Sequence, residues 1–418
     1  MTKTVKITVC ILLLCALSFN IVGCAPSYGA VNLMRGIIPK VENLSPPSES
    51  EVAQARSGAA DFMVSLFLES AREGENTLVS PLSVLLALAM CTGGAEGETK
   101  EQMESVLGVS SSDLNAYLGS YISSIKGDDT LGIANSIWFK DDDRFTVNEG
   151  FLETNANYYG AGIFKRKFDK SAHTAINRWV SDNTDGLIED ALDKIDKDAV
   201  MYLINTISFE AKWNSVYDKA HVRDGVFTTE SGAEREVSLM YSDEGLYLEN
   251  ENATGFIKHY EGKRYAFVAM LPNEGMTLAE FLKTLDGETV SQFIDSAAST
   301  SVKAAIPKFE SEYSAEMSEL LQNMGMTDAF DGEKADFSAL GSYDGYNIYI
   351  NRVIHKTYIS VFEKGTKAGA ATVIEMSKNT SMDRPEPKYV ILDRPFVYMI
   401  IDCEADIPVF MGTLNDIK

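Results

Sequence analysis

The chain has 418 residues, 45% of them hydrophobic, and carries 61 acidic against 37 basic side chains, a formal charge of −24. So large an excess of acid excludes a protein that grips nucleic acid through its phosphates, which requires a basic surface. Four His residues, no H-E-x-x-H and no C-x-x-C leave no metal site to propose, and nothing implies a cofactor. Length alone would serve two or three ordinary domains.

Residues 1–23 read as an export signal. Lys3 and Lys6 give a positive start, and Val9 to Phe19 is apolar but too short for a stable membrane span. Ile21-Val22-Gly23-Cys24 resembles a bacterial lipobox, in which Cys24 is diacylated and becomes the new N-terminus. The plainer alternative is an ordinary secretory signal with an incidental cysteine. A lipidated Cys24 would hold the protein outside the cytoplasm, on a bacterial membrane or the cell surface, because two or three acyl chains anchor stably where one does not. The mature chain keeps 35 basic and 61 acidic residues, a charge of −26. It also keeps Cys91 and Cys403, both in apolar stretches and expected as buried free thiols rather than a disulfide.

Residues 24–52 read as a linker, with Ser45-Pro46-Pro47-Ser48 in a polar stretch of weak periodicity. A globular body is expected over 53–418. Val52, Ala55, Ala59, Phe62, Leu66 and Phe67 recur at helical spacing. Ser80-Pro81-Leu82-Ser83 reads as an N-cap and first-turn proline leading into an apolar helix through Cys91. Further helices are expected over 97–107, 111–125, 147–157, 171–183, 277–286, 288–297 and 314–324. Strands rich in β-branched and aromatic residues are expected over 131–139, 200–212, 254–260, 264–271, 301–311, 347–362, 388–392 and 396–411. Lys165-Arg166-Lys167 is read as a solvated edge. Helices crowd the first half and strands the second, which argues α+β.

One stretch fits a strand yet makes a poor one. From Gly365 to Met376, period-2 parity places Thr366, Ala368, Ala370, Thr372, Ile374 and Met376 on one face with no charge. The other face, Lys367 to Ser377, holds both charges. No proline follows until Pro385, so the stretch tolerates the middle of a sheet. Its many Ala and Gly residues disfavour a permanent strand there. That combination suits a conditional strand, though a plain helix or loop satisfies the same residues.

The run Glu363-Lys364-Gly365-Thr366-Lys367-Ala368-Gly369-Ala370-Ala371-Thr372 resembles the hinge of an inhibitory serpin's reactive-centre loop. Other pieces are similar to serpin segments in the right order: 76–84 to the start of the second helix, 184–188 to the end of the helix across the main sheet, and 203–213 to the strand that leads to its Trp. Residues 390–400 and 410–412 are similar to the C-terminal signature and last strand. The resemblance spans nearly all of 53–418. It implies helices packed on a large central β-sheet plus smaller sheets, with an exposed reactive-centre loop at about 363–388.

The resemblance also implies a mechanism and roles. A serine or cysteine protease attacks the loop and forms an acyl-enzyme. The freed arm then inserts as an extra strand and traps the protease covalently. The inhibitor would act as a monomer and suicide substrate, not as an enzyme. About 12 inserted residues at ~1 kcal/mol per hydrogen bond supply on the order of 10 kcal/mol, so the native fold must be metastable. Hinge residues would be Glu363, Gly365, Thr366, Ala368, Ala370 and Thr372. Ser80, Ser83, Asn205 and His355 would form the polar cluster where the sheet parts. Trp213, Lys308 and Glu363 would mark the point of insertion. The cut falls at Asn379–Thr380 by family spacing, with Met376, Lys378 and Met382 as alternatives.

Two other readings stay open. A serpin that no longer inhibits could serve as a surface binding protein. Ser123-Ser124-Ile125-Lys126 and Ser181-Asp182-Asn183 match two motifs of a penicillin-recognising serine hydrolase, but no K-T-G follows.

Overall fold

A computed structural model of the chain describes residues 28–39, 48–184, 186, 188, 191–196, 199–366 and 386–417. The expectations for 1–23, Cys24, Ala368, Ala370, Thr372, Met376, Lys378, Asn379, Thr380 and Met382 lie outside the described residues.

Chain order begins with a two-residue strand, β1 (Val31–Asn32), and a long helix, α1 (Glu49–Ser70). Ser48 caps α1 in a capping box with Glu51. Strand β2 (Thr77–Val79) leads into α2 (Pro81–Thr92), every residue of which is buried. Helices Gly97–Leu107, Ser111–Ser124 and Glu149–Tyr158 surround β3 (Leu131–Lys140). Then follow β4 (Gly162–Arg166), α3 (Lys170–Asp182), β5 (Met201–Phe209) and β6 (Ala211–Lys212). The second half is mostly strand. It includes β7 (Glu234–Glu249), β8 (Ala253–His259), β9 (Tyr265–Pro272), β10 (Phe309–Glu316), β11 (Arg352–Phe362), β12 (Gly365–Thr366), β13 (Phe396–Asp402) and β14 (Ile407–Leu414).

Two large sheets result. The first has the order β1-β4-β3-β5-β11-β12-β6, with β10 on the outer side of β11. The second holds nine strands, among them β7, β8, β9, β13, β14 and β2 in succession. The α+β architecture expected from the sequence is present. One face of β5 and β11 turns Leu203, Ile207, Phe209, Val353, Ile359 and Val361 into the main core, with α1, α2 and the second sheet. The opposite face, at Tyr202, Ile204 and Ile354, lies under α3 in a second apolar cluster with Trp138, Ile176 and Val180. The amphipathic face of α3 therefore covers the middle of the first sheet.

Several expectations need correction. Residues 24–52 are not wholly a tether: β1 adds to the edge of the first sheet, Val31 opposite Lys165, and α1 begins at Glu49. Lys165 and Arg166 are not a solvated edge. The Lys165 ammonium donates to the Phe145 carbonyl, and the Arg166 guanidinium donates to the Tyr28 carbonyl and to Ser171 Oγ, the latter at 2.8 Å. The expected strand 301–311 is two strands in different sheets, Ala298–Pro307 and β10, with Lys308 at the junction. Residues 314–316 finish β10, which shortens the expected helix 314–324 to Ser318–Asn323. The run 396–411 is a hairpin, β13 and β14, turning at Asp406 with φ 53°. Cys91 is buried and free as expected, but Cys403 is free and only half-buried, because it opens that turn.

Candidate functional site

The site is a parting in the first sheet. β11 runs parallel to β5 but pairs with it only over Arg352–Ile354, opposite Tyr202–Ile204. At the other end β12 stands between them. Thr366 pairs with Val361 on one side and Ala211 on the other, antiparallel to both. Val361 lies the same number of residues beyond Ala211 as Ile354 lies beyond Ile204. The two ends of the parting are therefore in one register. Between them lie six rungs, 205–210 on β5 and its continuation and 355–360 on β11, with no ladder pairing described across the gap. A small pocket opens at the fork, lined by Val180, Ile188 and Ala191 on the α3 side and by Ile204, Asn205, Thr206, Ile354 and Lys356.

The first residues past the fork are the expected polar cluster. Asn205 and His355 each follow the last paired residue of their strand, and both are met by the N-terminus of α2. The Ser80 N–H donates to His355 Nε2 at 3.0 Å, which makes Nδ1 the protonated ring nitrogen. Ser80 Oγ caps α2 by accepting from the Ser83 N–H at 3.3 Å and donates to the Val409 carbonyl at 2.7 Å. Ser83 Oγ donates to Asn205 Oδ1, and Asn205 Nδ2 to Asn135 Oδ1 on β3. Capping and clamping are thus done by the same side chains. His355 is fully buried, and burial pushes its pKa down to about 4. Sequence reading missed Asn135, and also Thr357, whose hydroxyl donates to the Leu78 carbonyl at 2.7 Å. Both sit on strands whose spacing carries no sign of a polar role.

The other end of the parting is built around β12. Glu363 and Lys364 form a two-residue turn between β11 and β12. Gly365 closes it with φ +149°, and a Cβ there would collide with the Ala211 carbonyl oxygen. Thr366 is buried, with its hydroxyl 2.7 Å from Tyr260 Oη. Tyr260 stacks on Trp213 with centroids 4.4 Å apart. Trp213 in turn holds the turn, its indole N–H donating to the Phe362 carbonyl at 2.8 Å and its backbone N–H to the Lys364 carbonyl at 2.9 Å. Lys308 and Glu363 form the expected ion pair. Burial is the largest single influence and raises the Glu363 pKa, but the hydrogen bond and charge of Lys308, the Glu363 backbone N–H and the Lys364 charge together hold it below the usual range. Sequence reading did not find Lys258. It is buried, paired with Glu244 at 2.7 Å, and its ammonium lies 4.5 Å from the Tyr217 ring centroid and 5.4 Å from that of Trp213.

The structure thus gathers Ser80, Ser83, Asn205 and His355 at the fork, and Trp213, Lys308, Glu363, Gly365 and Thr366 at the top. It does not join the hydrolase motifs. The helix ending at Ser124 packs in the main core and α3, ending in Ser181 and Asp182, in the second cluster.

Comparison with known proteins agrees with this architecture. The profile of the family described as Serpin (serine protease inhibitor) matches residues 57–417. A serpin-like protein of Thermococcus kodakarensis is 30% identical over 366 residues, covering 85% of this chain and 84% of that one. Human neuroserpin is 27% identical over 84% of this chain and 89% of its own. Among solved structures, the thermophilic serpin tengpin in its native state is 45% identical, with a TM-score of 0.86 over 93% of this chain and 100% of tengpin. Tengpin in its latent state gives a lower TM-score, 0.77. This chain belongs to the serpin family, whose members act generally as inhibitors of serine proteases rather than as catalysts.

Proposed function

We propose that this serpin inhibits its protease as a suicide substrate, by inserting the cleaved loop into the parting between β5 and β11. The observation that carries this is the shared register of the two ends of the gap. Continuing the ladder from Thr366 sets Ala368 between Ile359 and Phe209, Ala370 between Thr357 and Ile207, and Thr372 between His355 and Asn205. All three would turn toward the main core, where small uncharged residues fit. Lys367 would fall on the other face, at the level of Glu210, which is exposed. Filling six rungs on both edges forms roughly 12 backbone hydrogen bonds, on the order of 10 kcal/mol. From Val373 onward the arm must separate Ile354 from Ile204, and there the α2 cluster can exchange hydrogen-bond partners.

The cut is proposed at Asn379–Thr380, with Met376, Lys378 and Met382 as neighbouring sites, and the partner as a serine or cysteine protease in a covalent complex with a monomeric inhibitor. Cys24 is proposed as a lipidated N-terminus that anchors the protein to the bacterial membrane or cell surface. Incubation with a protease panel tests the inhibitory reading. The expected result is a complex stable in denaturing gels, with mass spectrometry of the released C-terminal fragment giving the cut site. Clean cleavage without such a complex across the panel would make the protein a non-inhibitory binding serpin instead.

A further inference from the structure

β1 fixes where the chain can meet a membrane. Val31 pairs with Lys165 and Asn32 with Phe164, and the Leu33 N–H donates to the Ile163 carbonyl at 2.8 Å. Tyr28 packs edge-on to Trp138 and Phe164, with centroids 6.3 and 6.1 Å away. β4 runs parallel to β3 with Arg166 beside Lys140, and β3 pairs antiparallel with β5, Phe139 opposite Met201. Tyr28 therefore sits at the end of the sheet where β5 starts. The hinge sits at the other end, beside Ala211. Ten residues of extended chain separate these levels, about 33 Å.

Cys24 precedes Tyr28 by four residues, a reach of at most about 14 Å. A free linker over 25–52 would instead wander roughly 30 Å and let the body tumble. Positions 140–144 and 165–170 at this pole hold six basic and four acidic residues, and the Lys165 and Arg166 side chains among them are tied to the Phe145 and Tyr28 carbonyls. An anionic bilayer therefore meets little net charge in these segments.

From this geometry, and resting on the reading of Cys24 as the lipidated residue, we propose that the pole built from Tyr28, 140–144 and 165–170 docks on the bilayer surface. The hinge and reactive loop then face away from the membrane, toward approaching proteases.

The test uses the lipidated full chain on vesicles of phosphatidylcholine and phosphatidylglycerol that carry an energy-transfer acceptor in the headgroup layer. A donor is attached at Lys170→Cys or at Asp129→Cys in a Cys403→Ser background; both sites are exposed and Cys91 is buried. Asp129 precedes Leu131, which lies opposite Phe209 at the hinge end. Lys167→Cys serves as a second probe of the docked pole. Transfer at least threefold more efficient from Lys170→Cys and Lys167→Cys than from Asp129→Cys is expected. Equal or reversed efficiencies with vesicle flotation intact would overturn the orientation and leave the anchor standing. Loss of flotation would overturn both.

Discussion

His355 ties stability at the fork to its state of protonation. Its ring accepts from the Ser80 N–H while fully buried, so it is held neutral, with a pKa lowered from 6.5 to about 4. The unfolded chain takes up that proton more readily. Its contribution to stability is therefore complete above about pH 6.5 and is lost as the pH falls toward 4, with a limit on the order of 3 kcal/mol. Thermal midpoints of the intact protein should fall across that window, and less steeply in His355→Gln, which keeps a hydrogen-bond acceptor. Burial also lowers the pKa of His259, which adds to the overall slope, so the wild-type-to-variant difference is the informative quantity. Identical slopes would mean that His355 is not the group responsible. At this scale the sequence was informative where a residue obeys a local rule. Ser80 announced itself as a cap before Pro81, and Gly365 as the reversal before a run of small residues. Asn135 and Lys258 obey no local rule, since their partners arrive from strands 70 and 14 residues away.

Elements were legible in proportion to how simple their burial is. Helix Gly97–Leu107 and strand β3 match their expected positions to within a residue. β7 was missed altogether. Its 16 residues carry six charges, Glu234 to Glu249, because different halves of it pair with different neighbours and each face is only partly covered. β1 was read as linker because two residues have no periodicity to detect. In the proposed mechanism, inhibition turns on the hinge hairpin. In Gly365→Ala the new Cβ meets the Ala211 carbonyl, and a φ of +149° strains any L side chain, so β12 can no longer thread between β6 and β11. Gly365→Ala should be cut at the same bond as the wild type but give mostly free cleaved inhibitor, read as the ratio of complex to cleaved band. An unchanged ratio would show that insertion does not pass through this hairpin. The Lys308–Glu363 pair is about one-third exposed on both partners, so its worth lies in placing the turn rather than in more than about 1 kcal/mol of stability.

Over the whole molecule, the first sheet is incomplete by design: its third and fourth main strands touch for three residues and then stand apart for six rungs. The helix α3 and the N-terminus of α2 hold the two halves at that spacing. In the proposed mechanism, a sheet left open in this way keeps those hydrogen bonds for the inserted loop. The family and the uncharged hinge face were readable from sequence, because both are local patterns. The shared register of the two ends of the gap was not, because it depends on pairings between residues about 150 positions apart. The most direct measurement is calorimetry of the intact protein beside the same protein nicked once in the reactive loop. With on the order of 10 kcal/mol released, at about 2 cal/mol/K per residue, the nicked form should melt more than about 10 °C higher. A nicked form that melts at or below the intact temperature would contradict insertion into the parting.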